Sequence, residues 1–290
     1  MLRPRPRIRR ISIGIAMLLA AIGSLIAGFP TAARASVAPV VLIVEENHSY
    51  ATIIGNTREA PFLNQMASNG LSATRDFELI GGSKPNYIGM TAGQTMKGTS
   101  GNYSIDNLFN QMHLAGVSEK SYMETMPSPC FTKGKYGTAP AQYVKGHDPA
   151  ANFTDVTSDV AFCQATLIPA GTGNTASQLI ADAQNGVLPA FSFLTPNNCD
   201  NMHSCSIGTA DAFLANLVPT LTAAGAIVIV TWDEGSSDKS IPLIEYAPGL
   251  VSPGTYTVTM NHYNVLAALE DRFGLPRLVN AIGVTPFPIP

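Results

Sequence analysis

The stretch Val40-Val41-Leu42-Ile43-Val44, running straight into Glu45-Glu46-Asn47, decides the fold. A short, mostly β-branched run with no polar alternation reads as a strand buried on both faces, the pattern of a parallel sheet covered by helices. The pattern recurs at Ala226-Ile227-Val228-Ile229-Val230-Thr231-Trp232, which runs into Asp233-Glu234. In open α/β sheets the ligand site lies beyond the carboxyl ends of the strands. Carboxylates gathered there repel one another unless a cation or protons offset the charge. One such strand end is as well explained by a wet sheet edge; two in one chain weaken that explanation.

Strand-like and helix-like segments alternate outward from these two runs, without a repeat or a low-complexity linker. Pro61 to Ser68 has helical spacing and stops at Asn69-Gly70, and residues 71–79 read as a short strand. Ser83-Lys84-Pro85 looks like a helix start, with Ser at the cap and Pro in the first turn. Ile105 to Leu114 is amphipathic and halts at Gly116. Residues 127–172, rich in Pro, Gly and Lys, read as an ordered excursion over the active face. Helices are expected at 176–185, 208–223 and Tyr263–Phe273, and strands at Ala190–Leu194 and Ile241–Tyr246. The alternation predicts an α/β fold: a doubly wound, mainly parallel sheet with helices on both faces.

The first 35 residues differ from the rest. Arg3, Arg5, Arg7, Arg9 and Arg10 form a basic region, an uncharged and mostly apolar stretch follows to Gly28, and Ala33-Arg34-Ala35 is a small-x-small cleavage site. This predicts a secretion signal at 1–35 and one catalytic domain at 36–290; an uncleaved membrane anchor is the competing reading. The Arg9-Arg10 pair raises twin-arginine export, although its flanks fit that signal poorly. Six of the 17 Lys and Arg fall in residues 1–35, leaving 11 against 20 acids, a net charge of about −9. That argues against a nucleic-acid surface, which needs clustered cations. A small anionic substrate fits only where a metal or local dipoles reverse the sign. The four cysteines, Cys130, Cys163, Cys199 and Cys205, suggest two disulfides in an exported chain. Of the three pairings, Cys199–Cys205 with Cys130–Cys163 is the simplest, and no C-x-x-C spacing supports a cysteine metal site.

Ser83 falls where a strand gives way to a helix, so its hydroxyl faces solvent beside the free N–H groups of a first turn, a good place for a nucleophile attacking a phosphoryl group. A plain N-cap serine is the alternative, and no G-x-S-x-G elbow is present. Asn197-Asn198-Cys199-Asp200-Asn201-Met202-His203 follows another strand, where Asp200 and His203 suit metal ligation or proton donation to a leaving oxygen, or belong to a loop held by a disulfide. His262 opens the last helix and His147 lies in the Gly-rich excursion, while His48 and His113 look structural or exposed. Asp211 is expected to cap or pair locally.

In chain order these are an acid and Asn at strand one, Ser at a helix start, Asp and His, a paired acid at a late strand, then His. That order resembles the alkaline-phosphatase-like superfamily. The stretches VVLIVEENHSY, APFLNQMASNG, SKPNYIGMTAG, NMHSCSIGTADAFL, VIVTWDEG and NHYNVLAALEDRFGLP are similar to the phosphoesterase family of bacterial phospholipases C and secreted acid phosphatases. The resemblance implies metal binding by Glu46, Asn47, Asp233 and Glu234, nucleophilic attack by Ser83, and site roles for His203 and His262, with Asp200 as a further metal or proton-transfer residue. It implies a phosphoserine intermediate formed on a divalent cation, with His203 or His147 protonating the leaving group at mildly acidic pH. The oxygen-rich ligands suit Ca, Mg or Mn; involvement of His203 and His262 would shift the choice toward zinc or iron. The expected protein is a secreted, monomeric acid phosphatase acting on small phosphorylated substrates, without nucleic acid or stable membrane insertion. A phospholipase C-type diesterase and a non-catalytic binding protein are the rivals; a sulfatase would want Arg where Tyr87 stands.

Overall fold

The computed structural model of the chain describes Met1, residues 37–172 and residues 175–290. The predicted secretion signal therefore lies outside the described residues, apart from Met1. The strands are β1 (Val40–Glu45), β2 (Leu71–Phe77), β3 (Glu119–Glu124), β4 (Lys135–Tyr136), β5 (Tyr143–Val144), β6 (Leu167–Gly171), β7 (Phe191–Thr195), β8 (Ile227–Trp232), β9 (Ser240–Tyr246), β10 (Gly254–Tyr256) and β11 (Met260–Asn261). The helices are α1 (Tyr50–Ile53), α2 (Pro61–Asn69), α3 (Ser83–Ala92), α4 (Leu108–Ala115), α5 (Thr154–Ser158), α6 (Val160–Thr166), α7 (Ser177–Gln184), α8 (Ile207–Ala223) and α9 (His262–Phe273).

The central sheet has the order β10-β2-β9-β8-β1-β7-β3-β6, with β11 also paired to β2. β1 lies in the middle, parallel to β8 and to β7, with Glu45 opposite Trp232 and Ile43 opposite Leu194. Its side chains divide between two cores. Val40, Leu42 and Val44 pack with residues of α3, α4 and α9, whereas Val41 and Ile43 pack with residues of α2, α7 and α8. All five are at most 2% exposed, and full burial of such side chains is worth about 1.5–3 kcal/mol each. A strand covered on both faces has no polar side to show, which is why its sequence does not alternate. This is the doubly wound, mostly parallel α/β sheet that the sequence predicts.

Three features depart from the sequence reading. β9 runs antiparallel to both β8 and β2, because residues 233–239 are too few to cross over the sheet. β3 and β6 carry the sheet past β7, although β3 has no β-branched residue, β6 has only Ile168, and Pro169 interrupts β6. β6 is an edge strand, where a missing N–H is tolerated. Finally, the helix expected from Ile105 begins only at Leu108, after Asn107, whose side chain accepts from the Asn110 N–H.

The excursion at 127–172 is ordered, holding the β4–β5 hairpin, two 3-10 turns, α5, α6 and β6. Cys130–Cys163 ties its two ends and Cys199–Cys205 closes the loop after β7, the simplest of the possible pairings. Asp211 caps a helix, but not locally: from α8 its carboxylate accepts the Phe62 and Leu63 N–H groups at the start of α2.

Candidate active site

The alternation that divides β1 between two cores also separates its terminal acids. Glu46 follows the face of Val44 and is fully buried, its Oε1 accepting from the Tyr87 hydroxyl at 2.7 Å and lying 3.3 Å from His147 Nδ1. Asn47 then takes a left-handed backbone (φ 53°), a conformation that asparagine tolerates better than most residues. Its N–H donates to Asp233 Oδ1 at 3.2 Å across the β1–β8 junction. The two strand ends thus meet.

Ser83 is the first residue of α3, and the cap position belongs to Gly82 at φ 106°, a conformation glycine adopts freely. Asn86 braces the approach: its Oδ1 accepts from the N–H groups of Leu79 and Ile80, and its amide donates to the carbonyls of Ile80 and Gly82. The Gly82 N–H donates to Glu234 Oε2 at 2.5 Å. The Ser83 hydroxyl lies 3.1 Å from Glu46 Oε2 and 3.3 Å from Glu234 Oε1. After Glu234 the chain must turn so tightly that a Cβ at Gly235 would stand 1.9 Å from the Asp238 carbonyl oxygen. Three N–H groups of that turn, from Ser236, Ser237 and Asp238, point at the buried Ser49 Oγ.

Glu46, Asn47, Ser83, Asp233 and Glu234 therefore come together. Burial, with mutual repulsion from Asp233, holds Glu46 well above the usual carboxylate range. Burial and the neighbouring Glu234 raise Asp233 to about 7. Asn47 Oδ1 and Asp233 Oδ2 are buried without a hydrogen-bond partner. Unsatisfied oxygens beside mutually repelling acids are what a divalent cation would complete, so the donor set fits one.

Two histidines border this cluster. Thr195 at the end of β7 donates to the His147 carbonyl, and the Asn152 amide donates to the carbonyls of Lys145 and Asp148, fixing the turn that carries His147. The His147 ring stacks on Tyr87 at 5.4 Å and is 7% exposed. Burial, with the facing His203, pushes it down to about 3. His203 is exposed, held on the loop closed by Cys199–Cys205, with its ring 5.8 Å from that of His147. Glu46, His147 and His203 each offer a ligand atom within 4.8 Å of the others, a mixed set suited to a softer ion.

Two expected site residues stand apart. His262 is buried with Nε2 2.8 Å from the Asp233 carbonyl oxygen, so it braces the backbone under the acid pair. Asp200 is buried too, bonded to the Asn197 amide at 2.9 Å and grouped with Glu45 and Glu124 rather than with Ser83. Tyr87 and Asn86, which touch the cluster or its turn, carry no site role in the sequence reading, where Tyr87 serves only to exclude a sulfatase; their signal is the Ser-Lys-Pro-Asn-Tyr run itself.

The profile of the phosphoesterase family matches residues 56–276. The chain belongs to this family. It is 33% identical over 278 residues to the phosphatidylinositol-3-phosphatase of Mycobacterium tuberculosis, covering 89% of this chain and 84% of that protein. It is 27% identical to the phosphate-repressible acid phosphatase of Penicillium chrysogenum, over 74% of this chain but only 55% of that protein, so it spans about half of that fungal relative. Among solved structures, the phosphonate monoester hydrolase of Silicibacter pomeroyi superposes with a TM-score of 0.56 at 12% identity, covering 86% of this chain and 76% of the other. An alkaline phosphatase superfamily protein from Vibrio parahaemolyticus superposes with a TM-score of 0.57 at 11% identity, covering 82% and 67%. At that identity the likeness is one of fold, and the fold is that of the alkaline phosphatase superfamily, as the chain order of the motifs predicts.

Proposed function

We propose that this phosphoesterase is an exported, metal-dependent acid phosphatase that hydrolyses phosphate monoesters through a phosphoserine intermediate. The observation that carries the reading is the Ser83 hydroxyl lying between Glu46 Oε2 and Glu234 Oε1 at the start of α3. A divalent cation held by Glu46, Asn47, Asp233 and Glu234 would neutralise phosphoryl charge and ease ionisation of the serine. Oxygen ligands favour Ca, Mg or Mn there, whereas recruitment of His147 and His203 through Glu46 would favour zinc or iron.

The chain's own groups supply the rest. Ser83 Oγ attacks phosphorus and passes its proton to a flanking carboxylate as the bond to the leaving oxygen breaks. His203, exposed with its ring 5.8 Å from that of the buried His147, gives a proton to that oxygen. Water then attacks the phosphoserine as the P–Oγ bond breaks: its proton returns to His203, the proton held by the carboxylate returns to Ser83 Oγ, and inorganic phosphate leaves. Asp200 and His262 support the surrounding backbone and loops rather than meeting the substrate.

Export is supported by the basic, apolar and small-x-small pattern in residues 1–35 and by the two disulfides of the domain at 36–290. Among the described residues no helix is long and apolar enough to cross a membrane. Small phosphorylated molecules, phosphoinositides among them, are the substrates that the Mycobacterium relative's name favours, and we take the protein to act on them as a monomer.

The test is turnover of p-nitrophenyl phosphate and of its bis-ester by the mature protein and by Ser83→Ala, with and without chelator, alongside metal analysis. Monoester turnover abolished both by Ser83→Ala and by chelation is expected. Turnover independent of Ser83 would sink the proposal, and faster hydrolysis of the bis-ester would replace it with a diesterase.

A further inference from the structure

Two lysines flank the nucleophile, and among the described residues neither is ion-paired. Lys84 follows Ser83 directly at the start of α3, and Lys145 precedes His147 by two residues on the turn that carries that ring. Both ammonium groups are tethered to one short segment. Lys84 Nζ donates to the Gly101 carbonyl at 3.3 Å and sits 4.7 Å above the Tyr103 ring; Lys145 Nζ donates to Asn102 Oδ1 at 2.8 Å. The supporting backbones are close as well, for a Cβ on Gly146 would lie 3.9 Å from Lys84 Cβ. Both side chains are half-buried.

Among the described residues neither lysine forms an ion pair, whereas Arg58, Lys120 and Arg277 do. The acid nearest in charge to Lys145 is Asp148, which is fully buried and takes its hydrogen bonds from Tyr143, Ser121 and the Ala151 N–H. Lys135, exposed on the β4–β5 hairpin and paired there with Val144 beside Lys145, adds a third cation nearby. Two half-buried cations held side by side repel each other, and an anion placed between them relieves that repulsion. In a domain carrying about −9 overall, this is a local reversal of sign beside the serine.

We propose that Lys84 and Lys145 form a subsite for a second anionic group of the substrate, so that the enzyme prefers phosphomonoesters whose leaving group itself carries a phosphate. The subsite rests on the phosphomonoesterase reading and narrows its substrate class. One phosphoryl group meets Ser83 and the other, a free phosphate or the diester of a lipid headgroup, meets the two ammonium groups. These lysines act on binding, so their loss raises KM more than it lowers kcat.

The experiment compares the mature, metal-loaded protein with Lys84→Gln, Lys145→Gln and the double variant on three substrates. These are p-nitrophenyl phosphate, soluble inositol 1,3-bisphosphate, and phosphatidylinositol 3-phosphate in phosphatidylcholine vesicles. The wild type is expected to show the higher kcat/KM on the bisphosphate. The double variant is expected to lose about 10- to 100-fold there, mainly through KM, and less than about twofold on p-nitrophenyl phosphate, with an unchanged melting temperature. A loss on the soluble bisphosphate supports the subsite, and an equal loss on vesicles extends it to the lipid headgroup. Equal losses on the bisphosphate and on p-nitrophenyl phosphate, no loss at all, a loss confined to vesicles, or a wild type that does not prefer the bisphosphate would each overturn it. Absence of any Ser83-dependent turnover of p-nitrophenyl phosphate is a different failure, that of the phosphatase reading itself.

Discussion

Glu45 and Glu46 are neighbours in the chain with opposite surroundings. Glu46 is held by Tyr87 and faces Ser83 and His147, while both oxygens of Glu45 are buried with no hydrogen-bond partner. Burial, then the charges of Asp200, Glu124 and Asp211, raise Glu45 well above the carboxylate range. As the pH rises, the folded state must either keep Glu45 protonated or bury another anion beside those acids, so its contribution becomes increasingly unfavourable. Glu45→Gln removes that penalty, and thermal melts are expected to show it stabilising the protein, by more at pH 8 than at pH 5. Tyr87→Phe tests the other neighbour. Loss of the 2.7 Å bond frees Glu46 Oε1, and turnover of p-nitrophenyl phosphate is expected to fall about tenfold while the fold is retained. A Tyr87→Phe enzyme with unaltered kcat and KM would leave the tyrosine a packing residue only.

Short constrained segments, rather than long helices, deliver the side chains. The loop after β7 holds the exposed His203 ring beside His147 because Cys199–Cys205 closes it over six residues and Asn201 Oδ1 accepts the His203 N–H. A bridge over so short a loop is worth about 2 kcal/mol in chain entropy. The variant carrying both Cys199→Ser and Cys205→Ser is expected to melt a few degrees lower and to lose more in kcat than that loss of stability accounts for. Parallel kinetics and calorimetry on the reduced wild type check the same point. At the start of α9, His262 bonds the Asp233 carbonyl, and Asn261 and Asn264 form a capping box. His262→Ala removes the support under the acid pair, so metal affinity, measured by titration calorimetry, is expected to fall about tenfold or more.

Across the whole molecule the buried ionisable groups set a pH dependence. Burial raises Glu119, Asp148 and Glu270 to about 7 and Glu124 and Glu245 to about 8. Such carboxyls keep protons that the unfolded chain releases near pH 4, so their stabilisation is complete below that value and is lost as the pH climbs through 7 to 8. His147 and His262, lowered to about 3 and about 4, work in the other direction: their share is present above about 6.5 and is lost as the pH falls toward 4. Between pH 6.5 and 8 the carboxyls act alone. In chelator the melting temperature is therefore expected to drop from pH 6.5 to pH 8, and Glu245→Gln to flatten that slope. Adding the bound metal at about a hundred times its dissociation constant stabilises the fold by about 2.7 kcal/mol, readable as a rise in melting temperature at either pH.

Much of this architecture is legible in one dimension. Five apolar residues in unbroken succession can only be covered from both sides, and the acids that end β1 and β8 are placed by the sheet at adjacent strand ends in register. Local chemistry at Ser83, the strand-to-helix turn and the glycine before it, is likewise written in neighbouring residues. What the chain order leaves open is everything that depends on which face a side chain takes. One residue of register sends Glu46 to the serine and Glu45 to a pocket of acids, while the loop after β7 turns Asp200 toward Asn197 and those acids rather than toward Ser83. β3 and β6 have weak strand sequences and become strands because β7 offers them an open edge. Tyr87, Lys84 and Lys145 acquire their meaning only through neighbours far away in sequence. Periodicity and turn chemistry are local properties and survive in the sequence, whereas burial, partners and charge balance arise only when distant segments pack.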